Sequence, residues 1–193
     1  MSQKSITVLY LPGLGGNYDA FRRLMLRLWP NKYNVQLVAM NWTDQGETFE
    51  QKKSRIQQVI AGADGTVVVI GESAGAAMGL ILAHENPAVR FIAYCGKIGG
   101  AASTGDYYYK RIPAFHDMLP MADVIRNKIT DAEKSQMMVV RAYKDLFLSE
   151  RDNTIPGVKQ IILPSLGHLT TIILGITILR YGLFYAIKRL AML

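Results

Sequence analysis

The sequence predicts an α/β fold in which helices cover both faces of a doubly wound, mainly parallel sheet of about six strands. Two observations carry that prediction. Strand-like apolar runs alternate with helix-like runs along the whole chain, and glycine-rich turns follow two of the strand-like runs at the end where a parallel sheet gathers its ligand-binding loops. A chain of 193 residues, half of them apolar, can bury one substantial core, so a single domain over 1–193 is expected.

The strand-like runs fall at residues 5–11, 34–40, 66–70, 89–95, 137–143 and 158–163. Helices are expected at 18–29, 49–61, 74–85 and around 114–127, with a further apolar helix at about 168–190. No linker, repeat or low-complexity tract interrupts this order.

The third strand-like run, Thr66-Val67-Val68-Val69-Ile70, leads into Gly71-Glu72-Ser73-Ala74-Gly75 and then into a small-residue helix. A G-x-S-x-G pentapeptide between strand and helix has a physical meaning. A serine that attacks a carbonyl must stand on a tight turn, and glycines two positions to either side let strand and helix approach while the hydroxyl stays accessible. The helix that begins there aims its free N–H groups and positive dipole end at the reacting center, which offers the Ala74 N–H to a developing oxyanion. Ser73 is the candidate nucleophile.

Serine needs a base, and the base needs a group to orient it. Asp145 follows the fifth strand-like run and is the candidate acid; Glu150 and Asp152 compete from farther along the same loop. His168 follows the sixth run in Pro164-Ser165-Leu166-Gly167-His168 and is the candidate base. The remaining histidines, His84 at a helix end and His116 far from any strand terminus, read as structural. Near the start, Pro12-Gly13-Leu14-Gly15-Gly16 follows the first run and presents bare backbone. If that strand neighbors the third, the N–H of Leu14, or less favorably of Gly13, becomes the second oxyanion donor. The turn lacks both the G-K-[ST] of a phosphate loop and the G-x-G-x-x-G of a dinucleotide site.

Together these residues resemble the α/β-hydrolase superfamily over nearly the whole chain. Gly-Glu-Ser-Ala-Gly-Ala is locally similar to the elbow of type B carboxylesterases, whereas the size and layout look closer to small, nearly lidless serine hydrolases. Pro12 stands where the superfamily usually has a histidine before the oxyanion glycine. The resemblance implies a first strand beside the third, a minimal lid within 96–135, and hydrolysis of a small-molecule ester or thioester through an acyl-enzyme, with no metal or organic cofactor. An amidase or peptidase would use the same machinery, and a noncatalytic module of this fold that binds a membrane or a protein is the rival from another class. The tyrosines at 107–109 read as a surface cluster or as an aromatic wall.

Composition bounds the setting. The single cysteine, Cys95, excludes an internal disulfide and reads as a buried small residue, and no secretory signal is visible, which together suit the cytosol. The net charge of +7 favors anionic surfaces, but the basic residues are scattered and accompany no nucleic-acid module. The tail past His168 is more apolar than a core-facing helix requires. It is open to three readings: a closing helix whose spare face packs in a homodimer or on the domain, a helix lying on a membrane, and a spanning helix burdened by Arg180 at its middle.

Overall fold

The computed structural model describes residues 5–105 and 111–193, so the tyrosine run at 107–109 lies outside the described residues. Six strands, β1 (Ile6–Leu11), β2 (Tyr33–Leu37), β3 (Thr66–Glu72), β4 (Val89–Tyr94), β5 (Met137–Lys144) and β6 (Lys159–Leu166), form one sheet in the order β2-β1-β3-β4-β5-β6. Every neighboring pair is parallel. The first strand lies beside the third, as the resemblance implied. The chain first winds outward from β1 to β2 and then returns to the other side of β1, so the direction of winding switches between β1 and β3. A crevice at the carboxyl end of such a switch is where ligands bind in open α/β sheets.

Parallel strands need crossovers, which carry α1 (Asp19–Arg27), α2 (Phe49–Ala61), α3 (Gly75–Glu85), α4 (Pro113–Lys128), α5 (Asp131–Ser135) and α6 (Glu150–Asn153), while α7 (His168–Ile176) and α8 (Tyr181–Ala191) follow the last strand. Side chains alternate across the sheet into two separate cores. Leu9, Val69 and Phe91 face one side with Leu80 of α3 and Met118 of α4, whereas Tyr10, Ile70 and Tyr94 face the other with Ile176 of α7 and Leu183 of α8. The central strands are therefore buried on both faces, which is why β3 is a continuous Val-Ile run with no polar alternation.

Three differences from the expected elements have physical causes. β6 runs past Pro164 to Leu166, because it is an edge strand, the position in a sheet that tolerates a proline. The segment 96–135 is less a lid than expected, since its main helix, α4, buries Phe115, Met118, Leu119 and Ala122 in the core against α2 and α3. The apolar tail is two helices rather than one, bent by 69° between α7 and α8. The bend lets Ile172 and Ile176 of α7 and Leu183, Ala186 and Ile187 of α8 all reach the second core, which one straight rod could not do. At the break, the Thr177 hydroxyl donates to the Ile173 carbonyl at 2.7 Å. Among the described residues, no single helix is long and apolar enough to cross a membrane.

The start of α2 carries an acid-sensitive cluster. Thr48 and Gln51 cap the helix reciprocally, and the fully buried Lys52 places its ammonium 3.0 Å from the Asn41 carbonyl and 2.9 Å from Glu47 Oε2. Hydrogen bonds from Arg55 outweigh partial desolvation and, with help from Lys52, lower the Glu47 pKa from 4.5 to about 2. A carboxyl depressed in the folded state contributes stability that is complete above its unfolded value and is lost as pH falls through the folded one. The stability difference between wild type and Glu47→Gln should therefore be largest above pH 4.5 and shrink toward about pH 2, as read by urea unfolding across that window.

Candidate active site

At Ser73 the backbone adopts φ +48°, the left-handed region that a non-glycine residue enters only when its surroundings enforce it. The enforcement comes from both sides. A Cβ on Gly71 would collide with the backbone of Gly75 and Ala76, and a Cβ on Gly75 would collide with the Leu11 carbonyl at the end of β1. Both glycines of the pentapeptide are thus fixed by close approach, and the serine between them is turned out of β3 at the switch point. Its N–H donates to the Tyr94 carbonyl at 3.0 Å, and its carbonyl accepts from Ala76 and Lys97.

His168 is the first residue of α7. Its Nε2 lies 2.9 Å from Ser73 Oγ and its Nδ1 lies 2.7 Å from Asp145 Oδ2, so three side chains separated widely in sequence form one hydrogen-bonded line. Asp145 follows β5 directly, and its other oxygen accepts from the N–H groups of Phe147 at 2.8 Å and Leu148 at 3.0 Å. Burial opposes ionization of this carboxyl, but the His168 bond and the two backbone donors outweigh it and hold its pKa below the ordinary aspartate value. The ring is held in place from behind as well. The Tyr94 hydroxyl donates to the carbonyls of Thr171 and Ile172, and the Thr171 hydroxyl reaches the Gly167 carbonyl at 2.6 Å, pinning the first turn of α7.

The competing groups are engaged elsewhere. Glu150 pairs with Arg141 at 2.7 Å, Asp152 pairs with Lys97 at 3.0 Å, His84 meets Glu133 at 2.5 Å, and His116 meets Asp117 at 2.9 Å. Cys95 is fully buried, and desolvation raises its thiol pKa well above the ordinary value, which keeps it protonated and unreactive. Among the described residues, no group of three or more His, Cys, Asp or Glu side chains is arranged to hold a metal ion.

A cavity of about 230 Å³ opens beside the line, walled by Leu14, Ala74, Phe115, Leu148 and His168, with Lys97 and Thr104 as polar groups. Of the two alternatives for the oxyanion donor expected from the glycine-rich turn, Leu14 borders this cavity together with Ala74, the residue that caps α3. The Gly13 N–H is engaged by Glu72 Oε1 at 3.2 Å. Glycine at position 13 has a packing reason instead, since a Cβ there would press against Ser73 Cβ.

Glu72 is the buried charge beside the site that the sequence pattern does not announce. It occupies the variable position before the serine, points away from the cavity, and is only 1% exposed. Arg22 of α1 grips both of its oxygens, Nη2 to Oε1 at 2.5 Å and Nε to Oε2 at 2.7 Å, while the Tyr10 hydroxyl donates to Oε2 at 2.6 Å. The other terminal nitrogen of Arg22 donates to the Gly15 carbonyl at 2.6 Å and to Asp19 at 2.9 Å. Glu72 holds the Gly13 end of the turn and Arg22 holds the Gly15 end, so the ion pair fixes Leu14 relative to Ser73. The signal available in the sequence was a carboxylate inside a buried strand end, which requires a cationic partner.

Known proteins agree on the architecture. No protein-family model and no curated protein matches the sequence. Solved structures do match: a metagenomic carboxyl esterase at TM-score 0.64 and 15% identity, with 99% of this chain and 76% of that one covered. A metagenome-derived lipolytic enzyme matches at 0.65 and 11%, with 95% and 94% covered. A pyrethroid hydrolase from Sphingobium faniae matches at 0.60 and 17%, with 97% of both chains covered. Identities this low speak to fold, and on that ground, together with the parallel sheet order and the serine turned out between β3 and α3, the chain has the α/β-hydrolase fold.

Proposed function

We propose that the protein is a serine hydrolase that cleaves an ester or thioester through an acyl-enzyme. The observation that carries this reading is the unbroken hydrogen-bond line from Ser73 Oγ through His168 to Asp145. In the first half-reaction His168 Nε2 takes the Ser73 proton as Oγ attacks the substrate carbonyl, and the negative charge that collects on the carbonyl oxygen is met by the N–H groups of Leu14 and Ala74. The imidazolium then protonates the departing alkoxide or thiolate, leaving the acyl group on Ser73. Water enters and gives a proton to His168 as it attacks the acyl carbon, and the imidazolium returns that proton to Ser73 Oγ as the acyl–oxygen bond breaks and the carboxylic acid leaves. Asp145 keeps Nδ1 protonated, so that Nε2 presents its lone pair, and it stabilizes the imidazolium formed twice per cycle.

The cavity is smaller than the roughly 300 Å³ at which pockets for drug-sized ligands begin, which favors a compact acyl group. A fluorophosphonate probe and a panel of p-nitrophenyl esters of increasing chain length test the proposal. Labeling of the wild type and turnover biased to short acyl chains are expected, and a folded wild type that neither labels nor turns over any ester would refute it. Asp145→Asn should lower kcat by about 10³- to 10⁴-fold, because an amide that presents its N–H to Nδ1 selects the wrong tautomer. A stopped assay at saturating substrate measures that drop.

A further inference from the structure

We propose that the outer face of α1, α7 and α8 docks on an anionic lipid surface, with the mouth of the cavity at its edge. The first observation is an uncovered apolar face. Leu24 and Leu28 beside α1 and Ile178 and Tyr181 beside α8 are 54%, 60%, 75% and 59% exposed, and Leu169 and Ile173, one turn apart on α7, are exposed with them. These residues belong to one surface. α1 packs on α7, Arg180 donates to the Leu28 carbonyl at 3.1 Å, and Trp29 both donates to the Ile176 carbonyl and meets the Phe184 ring edge-on at 4.9 Å.

The second observation is charge. Between residues 20 and 43, and again from 153 to 193, the sequence contains no aspartate or glutamate, yet the two stretches carry Arg22, Arg23, Arg27 and Lys32 and then Lys159, Arg180, Lys188 and Arg189. The fold brings α1, α7 and α8, which hold most of these stretches' helical residues, to the same side of the sheet. Arg23, Arg27, Lys188 and Arg189 are exposed there, and the acid of this layer, Asp19, is already paired with Arg22. The opposite layer mixes its signs instead: Glu50, Glu85, Asp117 and Asp123 on α2, α3 and α4 stand among Lys53, Arg55, Arg126 and Lys128, and Lys53 pairs with both Glu50 and Glu85. Unbalanced positive charge is therefore concentrated on the α1, α7 and α8 side of the sheet.

That polarity selects the occupant. Apolar side chains interleaved with arginine and lysine, and flanked by tyrosines, match the interface between acyl chains and negatively charged headgroups. A second copy would bring two cationic faces together and pay their mutual repulsion. The face also begins at the site: α7 starts with His168, and Phe147, 79% exposed, stands 6.1 Å from the His168 ring. A docked molecule would present its cavity mouth to whatever ester the surface holds.

Sedimentation of the full chain with phosphatidylcholine vesicles, with and without about 30 mol% phosphatidylglycerol, tests this directly. At least about tenfold stronger partition to the anionic vesicles is expected, falling as salt rises from about 0.1 M to 0.5 M. Leu24→Asp with Ile178→Asp should weaken partition about tenfold, and Arg27→Glu, a change confined to an exposed charge that leaves the core intact, should weaken it severalfold with unchanged thermal unfolding. Ser73→Ala protein should partition like wild type, so a failure of docking and a failure of the hydrolase reading are separately visible. Equal partition to both vesicles, absence from both, or a concentration-dependent dimer that Ile178→Asp dissociates would overturn the proposal, as would capture by polyglutamate without vesicle binding.

Discussion

Ser73→Ala is expected to lower kcat by about 10⁴- to 10⁶-fold and to abolish fluorophosphonate labeling, with no loss of thermal stability. The size of the effect follows from how the side chains act as a unit. Ser73 Oγ makes one hydrogen bond, to His168 Nε2 at 2.9 Å, and among the described residues no other group at the cavity combines accessibility with a base at that distance. Lys97 is the nearest alternative nucleophile by chemistry, but its ammonium is held by Asp152 at 3.0 Å. Stability should hold because alanine fits the space of serine and removes no buried packing. Paired measurements of turnover and of the thermal midpoint on the same preparation decide the matter. A variant that still hydrolyzes ester at wild-type rate would remove Ser73 from the mechanism, and one that loses activity together with its fold would show only that the elbow is structural.

The fold is legible in the sequence where local rules and long-range packing agree. A strand that ends in G-x-S-x-G can turn in few ways, so the position of Ser73 between β3 and α3 was legible from the spacing of two glycines. Asp145 and His168 were legible for a similar reason, since Asp145 stands directly after the apolar run of β5 and His168 follows the run of β6 behind a glycine. What was not legible depends on contacts between distant segments. Nothing local in Thr177-Ile178-Leu179-Arg180 announces a 69° bend; it arises because two sets of apolar residues must reach the same core. The burial of α4 could not be read either, because its hydrophobic stripe fits a lid as well as a core helix until α2 and α3 are seen packed against it. Glu72 shows the same limit most sharply. Its partner Arg22 lies fifty residues earlier, and arginine in an amphipathic helix ordinarily belongs on the wet side.

That pair supports the second large expectation. Arg22→Met should destabilize the protein by about 3–5 kcal/mol, because it strands the carboxylate of Glu72 in an interior position with only the Tyr10 hydroxyl and the Gly13 N–H as partners. Against a total folding free energy of about 5–15 kcal/mol, the single variant risks failing to fold. The double variant Arg22→Met with Glu72→Gln is the sharper experiment, since it removes both charges and should recover much of the loss, as neutral replacements of buried ion pairs do. Stability and activity are expected to separate there. The recovered protein would still lack the arginine that ties the Gly15 carbonyl, and the glutamine amide has one acceptor oxygen where the carboxylate had two to offer the Tyr10 hydroxyl and the Gly13 N–H, so Leu14 would be held less firmly opposite Ser73. Misplacing one oxyanion donor costs about 10²- to 10³-fold in kcat and leaves KM nearly unchanged, because the donor acts on charge that exists only in the transition state. A well-folded double variant with wild-type kcat would reduce the ion pair to a structural fastening, and a KM effect without a kcat effect would place it in substrate binding instead.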